Sequence, residues 1–260
     1  VAEQWQALGY LDEPDFDRAC DEYDAFAAVF EESGVAVEWM PSTDSGLDSI
    51  YVRDASIVAD RGLIGASMGK GARSEEPGLQ LRQAGALNLD VAGVVERPGS
   101  LEGGDCTWLA SDVLAVGRGY RTNLAGIDQL DAMLPDVDVL RVPLPHWKGP
   151  GDVFHLMSVV SPLADRVALV YLPLLAVSFV EWLRERDFTL IEVPDDEFDS
   201  QGCNVLALGP TRVLALDGNV ETRRRIESAG IEVTTFEGRE ISAKGCGGPT
   251  CLTRPLGWRP

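Results

Sequence analysis

DSIYVRDASIVADRGLI (48–64), GGDCTWLASDVLAVG (103–117), VFHLMSVVSPLADRVALV (153–170) and GCNVLALGPTRVLALDG (202–218) are four versions of one pattern. Each is an apolar, β-rich run, a short polar turn and a second apolar run, the sequence form of a tightly turned strand pair. Each is followed by residues with helical spacing, over 74–86, 123–134, 179–187 and 220–229, and then by one more apolar run, over 91–99, 137–142, 188–194 and 231–237. The unit, two strands, a helix and a strand, returns about every 45 to 50 residues, and self-similarity at a fixed period marks a repeat architecture. Repeats set around an axis bring equivalent loops to one end of a shared channel, where ligand sites are favoured. The loop around Cys251 is expected to open a fifth unit. No strand near the N-terminus obviously completes it, and the first residue is Val1 rather than Met, so the recorded chain is read as trimmed at its start. Before the first repeat, Phe16, Ala19, Tyr23, Phe26, Ala27 and Phe30 give a helix over 14–34 ended by Gly34. VAVEWM (35–40) reads as a strand and PSTDSGLDS (41–49) as a polar loop.

The composition agrees with one α/β domain spanning 1–260. The chain is 45% hydrophobic and 25% charged, and 260 residues can bury a core without disulfide or metal staples. A net charge of −20 repels phosphate backbones, so nucleic acid is not an expected partner, while cationic ligands are weakly favoured. No apolar stretch reaches the ~18 residues of a membrane span. The longest, Val167 to Val180, is interrupted by Pro173 and Ser178. Five cysteines, with spacings that match no zinc pattern, only two histidines and no visible signal peptide point to reduced thiols in a cytoplasm.

The reactive residues fall at matching phases of different repeats: Asp48 and Asp54, Glu102 and Asp105, His155, and Cys251. Residues scattered in sequence but equivalent in phase are expected to converge. Cys251 lies in KGCGGPTCLTRPL (244–256), where Gly245, Gly247 and Gly248 allow unusual backbone angles and close approach of a ligand. A thiolate there can act as nucleophile, although free cysteines are most often small core residues, and Cys246 is a rival. His155 follows a Gly/Pro loop and opens a strand, a common place for a proton shuttle. His146, in PHWKG, is assigned to the surface. Glu102 and Asp105, in LEGGDC, can equally be turn residues. Asp48 and Asp54, six residues apart, are expected on one face of an otherwise apolar strand, where burial calls for a cationic partner. Thiolate, imidazole and paired carboxylates suit attack on a guanidinium, whose planar N–H fork pairs with carboxylates.

With these residues in view, the sequence resembles dimethylarginine dimethylaminohydrolase and, more broadly, the arginine deiminases and amidinotransferases of the pentein superfamily. The matching pieces are DSIYVRD (48–54), GARSEE around Arg73, LEGGD (101–105), VGRGYRTN (116–123), FHLMS (154–158), CNVLAL (203–208) and GGPTCLTRPL (247–256), in family order over nearly the whole chain. The resemblance implies a five-bladed α/β propeller acting without metal or organic cofactor on a small guanidino substrate derived from arginine. It implies Cys251 as attacking thiolate, forming a covalent amidino-thioether, and His155 as general acid and then base. Glu102 and Asp54 are expected to grip the guanidinium with Asp48 assisting, and Asp105 joins the binding group. Arg121 and Arg73 are expected on the substrate carboxylate, and a homodimer is one possible assembly. Met157 stands where deiminases and amidinotransferases carry an acid, which favours a hydrolase of methylated arginine. Arg53 stands where those hydrolases often have an acid, and the GGPTC loop is deiminase-like. Arginine deimination, amidino transfer and a non-enzymatic binding member of the fold are the competing readings.

Overall fold

The structure is a computed structural model that describes residues 4–41, 46–152 and 154–257. Residues 42–45 of the expected polar loop and Val153 of the third strand-pair segment lie outside the described residues. In chain order the helices are α1 (Trp5–Leu8), α2 (Phe16–Glu32), α3 (Glu76–Ala86), α4 (Leu124–Met133), α5 (Val177–Glu185), α6 (Asp195–Phe198) and α7 (Val220–Ser228). The strands are β1 (Ser56–Ala59), β2 (Gly62–Gly65), β3 (Val91–Val94), β4 (Cys106–Ala110), β5 (Val113–Arg118), β6 (Asp138–Pro143), β7 (Val160–Ala164), β8 (Val167–Val170), β9 (Thr189–Glu192), β10 (Leu206–Gly209), β11 (Arg212–Leu216) and β12 (Glu232–Phe236).

Among the described residues the strands make four three-stranded sheets of one topology, β1-β2-β3, β4-β5-β6, β7-β8-β9 and β10-β11-β12. In each, the first two strands are antiparallel across a tight turn, and the second and third are parallel across a helix. The middle strand is covered on both faces, which is why it reads as an unbroken apolar run: Leu114, Ala115 and Val116 of β5 and Ala168, Leu169 and Val170 of β8 are all 0% exposed. The crossover helices bury residues at helical spacing, Ile127 and Leu130 on α4, Phe179 and Leu183 on α5, and Thr222 and Ile226 on α7. Burying each large side chain among these contributes about 1.5–3 kcal/mol. Gly62 is required where β2 begins, because its φ is +121° and a Cβ there would meet the Asp90 carbonyl oxygen at 2.2 Å.

The described residues fall into two compact units. One comprises residues 4–39 and 158–250 and holds the sheets β7-β8-β9 and β10-β11-β12. In it α2 packs through Phe26 on Phe236, 4.8 Å between ring centroids, and Glu22 accepts from the Glu240 and Ile241 N–H groups at the start of a π-helical turn, Arg239–Ala243. The other comprises residues 40–41, 46–152, 154–157 and 251–257 and holds β1-β2-β3 and β4-β5-β6 around one core that includes Ile57, Ile64, Met68, Leu101, Leu114, Ile127 and Leu130. All eight residues singled out from the sequence belong to this second unit.

Three local expectations are corrected. VAVEWM (35–40) forms no strand. The segment 48–54 is not a strand: Asp48 sits in a 3-10 turn, Leu47–Ile50, closed by Ser49 N–H to the Gly46 carbonyl (3.0 Å) and Tyr51 N–H to the Asp48 carbonyl (2.9 Å). These local bonds curl the chain, so Asp54 follows on a turn and the strand begins only at Ser56. His155 likewise precedes a 3-10 turn, Leu156–Ser158, and lies ahead of β7 rather than within it.

Candidate active site

Each acid of the site sits where the chain enters a strand. Asp54 precedes β1, and Glu102 precedes a 3-10 turn, Gly103–Asp105, that ends in Asp105 and leads into β4. The two segments are stitched together by Gly103 N–H to the Asp54 carbonyl (2.8 Å) and Gly104 N–H to Asp54 Oδ1 (3.1 Å). A side chain at Gly104 would put its Cβ 2.6 Å from His155 Nδ1 and 2.7 Å from Asp54 Oδ1, so glycine is what lets these groups approach. Asp105 Oδ1 accepts from Leu156 N–H (3.0 Å) and so anchors the segment that carries His155.

These segments assemble a buried carboxylate–imidazole–carboxylate arrangement. His155 Nε2 lies 2.8 Å from Glu102 Oε2, and His155 Nδ1 lies 3.9 Å from Asp54 Oδ1. Glu102 is 0% exposed, and Asp54 and His155 are each 5% exposed. Burial alone would lower the pKa of His155, but the charges of Asp54, Asp105 and Glu102 overcome it and raise the pKa to about 9. The imidazole is therefore cationic at neutral pH. Burial alone would raise Glu102, but His155, Arg121 and the Lys70 N–H hold it well below the ordinary carboxylate range. Asp105 goes the other way, pushed up to about 6 by burial against the pull of His155, Thr122 and the Leu156 N–H.

Two cations converge on Glu102 and Asp54. Arg121 Nη1 donates to both Glu102 oxygens (3.1 and 3.0 Å), and the Lys70 N–H donates to Oε1 (3.0 Å). Arg73 is itself buried: Nη1 donates to Asp54 Oδ2 (2.5 Å), Nε and Nη2 to the two Glu76 oxygens (2.8 and 2.7 Å), and Nη2 also to the Tyr51 carbonyl (2.8 Å). In this structure its donors face the protein's own acids and the Tyr51 carbonyl. Glu76 and Gln80, on one face of α3, hold the site from below. Gln80 bonds the Ser56 hydroxyl (2.5 Å) and the Val52 carbonyl (2.6 Å), fixing both sides of Asp54. Asp48 does not meet the other acids directly: its Oδ2 is paired with Lys70 Nζ at 2.5 Å.

Cys251 is half-buried, and its carbonyl accepts from Arg53 N–H at 3.1 Å, which places its backbone beside the residue that precedes Asp54. Burial lowers the Arg53 guanidinium to about 10, while Cys251 and Asp54 nearby act in the opposite direction. Arg254, three residues after Cys251, donates to the Arg53 carbonyl, and its own pKa is lowered by burial and by Arg53. Cys106 and Cys203 are buried, and burial pushes both thiols far up, away from reactivity. His146 is exposed, with Nδ1 2.6 Å from the Tyr120 hydroxyl.

The sequence reading missed Lys70, Glu76, Gln80 and Arg254. Lys70 lies in a Gly-Lys-Gly loop and Arg254 inside the quoted GGPTCLTRPL stretch; Glu76 is three residues after Arg73, a spacing that joins charges across one helical turn. Asp54, Glu102 and His155 offer ligand atoms within 4.8 Å of one another, close enough to hold a cation.

The chain is similar to several known proteins. The arginine deiminase family matches residues 164–259. The N(G),N(G)-dimethylarginine dimethylaminohydrolase of Streptomyces coelicolor is 30% identical over 237 residues, covering 90% of this chain and 84% of that protein. That of Pseudomonas aeruginosa is 27% identical over 248 residues, covering 94% and 91%. A solved structure of the Pseudomonas aeruginosa enzyme, a cysteine-to-serine variant complexed with citrulline, superposes with a TM-score of 0.80 at 24% identity, covering 94% of this chain and 90% of that one. At that identity the likeness shows the fold, the α/β propeller class expected from the repeats. From the closeness and coverage of these relatives, the chain belongs to the dimethylarginine dimethylaminohydrolase and arginine deiminase family, hydrolases of guanidino C–N bonds.

Proposed function

We propose that this chain hydrolyses an Nω-methylated arginine to citrulline and an alkylamine through a covalent intermediate on Cys251. The observation that carries the proposal is the buried Asp54–His155–Glu102 arrangement, whose imidazole holds a proton at neutral pH. The substrate guanidinium takes Glu102 in exchange for Arg121, and Asp54 grips it from the other side. The Cys251 thiolate attacks the guanidinium carbon, forming a C–S bond. His155 gives its proton to the alkylamine as the C–N bond breaks, leaving an amidino-thioether. Water, losing a proton to His155, then attacks the same carbon. The C–S bond breaks, the thiolate returns, and the ureido product leaves. Arg73 and Asp105 act as positioning residues, one for Asp54 and one for the His155 segment.

Arginine deimination, with ammonia as leaving group, is the second reading, supported by the deiminase family's match to residues 164–259. A ureido-product assay over arginine, monomethylarginine, asymmetric dimethylarginine, agmatine and guanidinoacetate, with the amine measured in parallel, tests both. Dimethylamine and citrulline in equal amounts are expected, and none from Cys251→Ser. Ureido product from no compound, or full turnover by Cys251→Ser, overturns the proposal.

A further inference from the structure

We infer that Asn204 is a positioning residue for the nucleophile: its side-chain amide sets the backbone at Thr250, the residue joined by its peptide bond to Cys251. The inference deepens the proposed function and rests on its assignment of Cys251 as the attacking thiol. It gives a role to CNVLAL (203–208), which the proposed chemistry leaves unused. Asn204 is itself firmly held. It is buried just ahead of β10, and its N–H donates to the Gln201 carbonyl (2.9 Å). The buried Ser161 hydroxyl of β7 takes up the peptide groups on either side of it, donating to the Cys203 carbonyl (2.7 Å) and accepting from Val205 N–H (3.3 Å).

From that anchored backbone the amide reaches a residue 46 positions along the chain. Asn204 Oδ1 accepts from both the Thr250 N–H (3.0 Å) and the Thr250 hydroxyl (2.7 Å). A backbone N–H can only donate, so the oxygen of the amide must face Thr250, and these two donors fill its lone pairs. Thr250 is buried as well, so water does not stand in easily for a lost bond. Gly248 is what allows the approach: a Cβ there would lie 2.5 Å from both Cγ and Oδ1 of Asn204. The group that comes close to this glycine is therefore the protein's own amide, where the sequence suggested a ligand. The other end of the loop is tied by Gly247 N–H to the Ser242 carbonyl (3.2 Å), within the π-helical turn Arg239–Ala243 to which Glu22 is bonded. With Gly247 and Thr250 both anchored, little backbone freedom remains ahead of Cys251, and a thiolate that must meet a guanidinium carbon in one geometry reacts faster for it.

Steady-state kinetics with asymmetric dimethylarginine, corrected for the folded fraction by thermal melts, and labelling of Cys251 by chloroacetamidine, followed by peptide mass, test the inference. Asn204→Ala is expected to lower kcat by about 100-fold, the effect of misplacing a reacting group by about 1 Å, and to change KM by less than about 3-fold. Thr250→Val keeps the N–H bond and loses the hydroxyl, and should lower kcat by about 10-fold, the worth of one hydrogen bond, while Thr250→Ser stays within about 3-fold of normal. Because the two residues act through one contact, Asn204→Ala/Thr250→Val should be no slower than Asn204→Ala alone. Labelling of Cys251 should slow in parallel with kcat. An unchanged kcat in Asn204→Ala, with or without a raised KM or a lowered Tm, overturns the inference, and so do losses that multiply in the double variant. Equal kcat in Thr250→Val and Thr250→Ser overturns it too, and that pair decides if Asn204→Ala fails to fold. Slowed labelling of Cys251 in Asn204→Ala, together with no ureido product from the unaltered protein, would instead reject the proposed function and leave Asn204 in its role.

Discussion

Replacing His155 by asparagine should remove a pH-dependent part of the protein's stability. The folded environment raises its pKa to about 9: burial acts against the charge, but Asp54, Asp105 and Glu102 more than offset it. In the unfolded chain the ring titrates near its ordinary value of 6.5. At about 1.4 kcal/mol per pH unit, the difference corresponds to about 3 kcal/mol of stability. Because the folded pKa is the higher one, the native state keeps a proton that the unfolded chain releases. The contribution is therefore complete below pH 6.5 and is lost as the pH rises through 9. Between those limits the unfolding free energy should fall by about 3 kcal/mol more in the unaltered protein than in His155→Asn. Urea unfolding at a series of pH values measures that difference. The chain has only two histidines, so a ring titration by NMR in His146→Asn follows one signal. A constant gap across the pH range, or an imidazole that titrates near 6.5, would refute the reasoning. The same proton should set the alkaline limb of kcat/KM near pH 9, where the acid form of the free enzyme is lost.

Three further outcomes follow from the same geometry. Gly104→Ala forces His155 and Asp54 apart, so turnover should drop by about 100-fold or more with the circular dichroism spectrum kept, since small misplacements of reacting groups have effects of that size; turnover within a few-fold of normal would show the close approach to be unimportant. Arg73→Met leaves Asp54 and Glu76 buried without their cation and should lower the unfolding free energy by about 3–5 kcal/mol in urea melts; a loss below 1 kcal/mol, roughly the worth of an exposed pair, would mean the network is not what holds the site. Arg121→Ala should raise KM for carboxylate-bearing substrates by about 10-fold or more, the scale of a charged hydrogen bond, and an unchanged KM would remove Arg121 from the binding group.

The repeats were legible because each middle strand is covered on both faces and must be apolar throughout, as in Leu114 to Val116 and Val213 to Leu214. The crossover helices were legible within a few residues, α4 over 124–133 against 123–134 expected, because Asn123 caps its start through Gly126 N–H at 2.8 Å. The strand expected over 48–54 was not, since the bonds that curl Asp48 and Tyr51 are backbone bonds with no side-chain signature. For the same reason the period-two argument placed Asp48 and Asp54 on one face, when each takes a different cation, Lys70 and Arg73. Acids and histidine at the entrances to strands could be read as a group from their phase in the repeats. Their internal partners could not, because pairing between Arg73 and Asp54, or between Arg121 and Glu102, is a matter of side-chain reach across 19 residues of chain.

Acid quenching of the enzyme during turnover of asymmetric dimethylarginine, followed by peptide mass mapping, tests the covalent step most directly. The peptide that contains Cys251 should carry the added mass of the substrate less dimethylamine, and Cys251→Ser should show neither the adduct nor citrulline. Steady turnover with no adduct on that peptide, and undiminished turnover in Cys251→Ser, would contradict the assignment of the nucleophile.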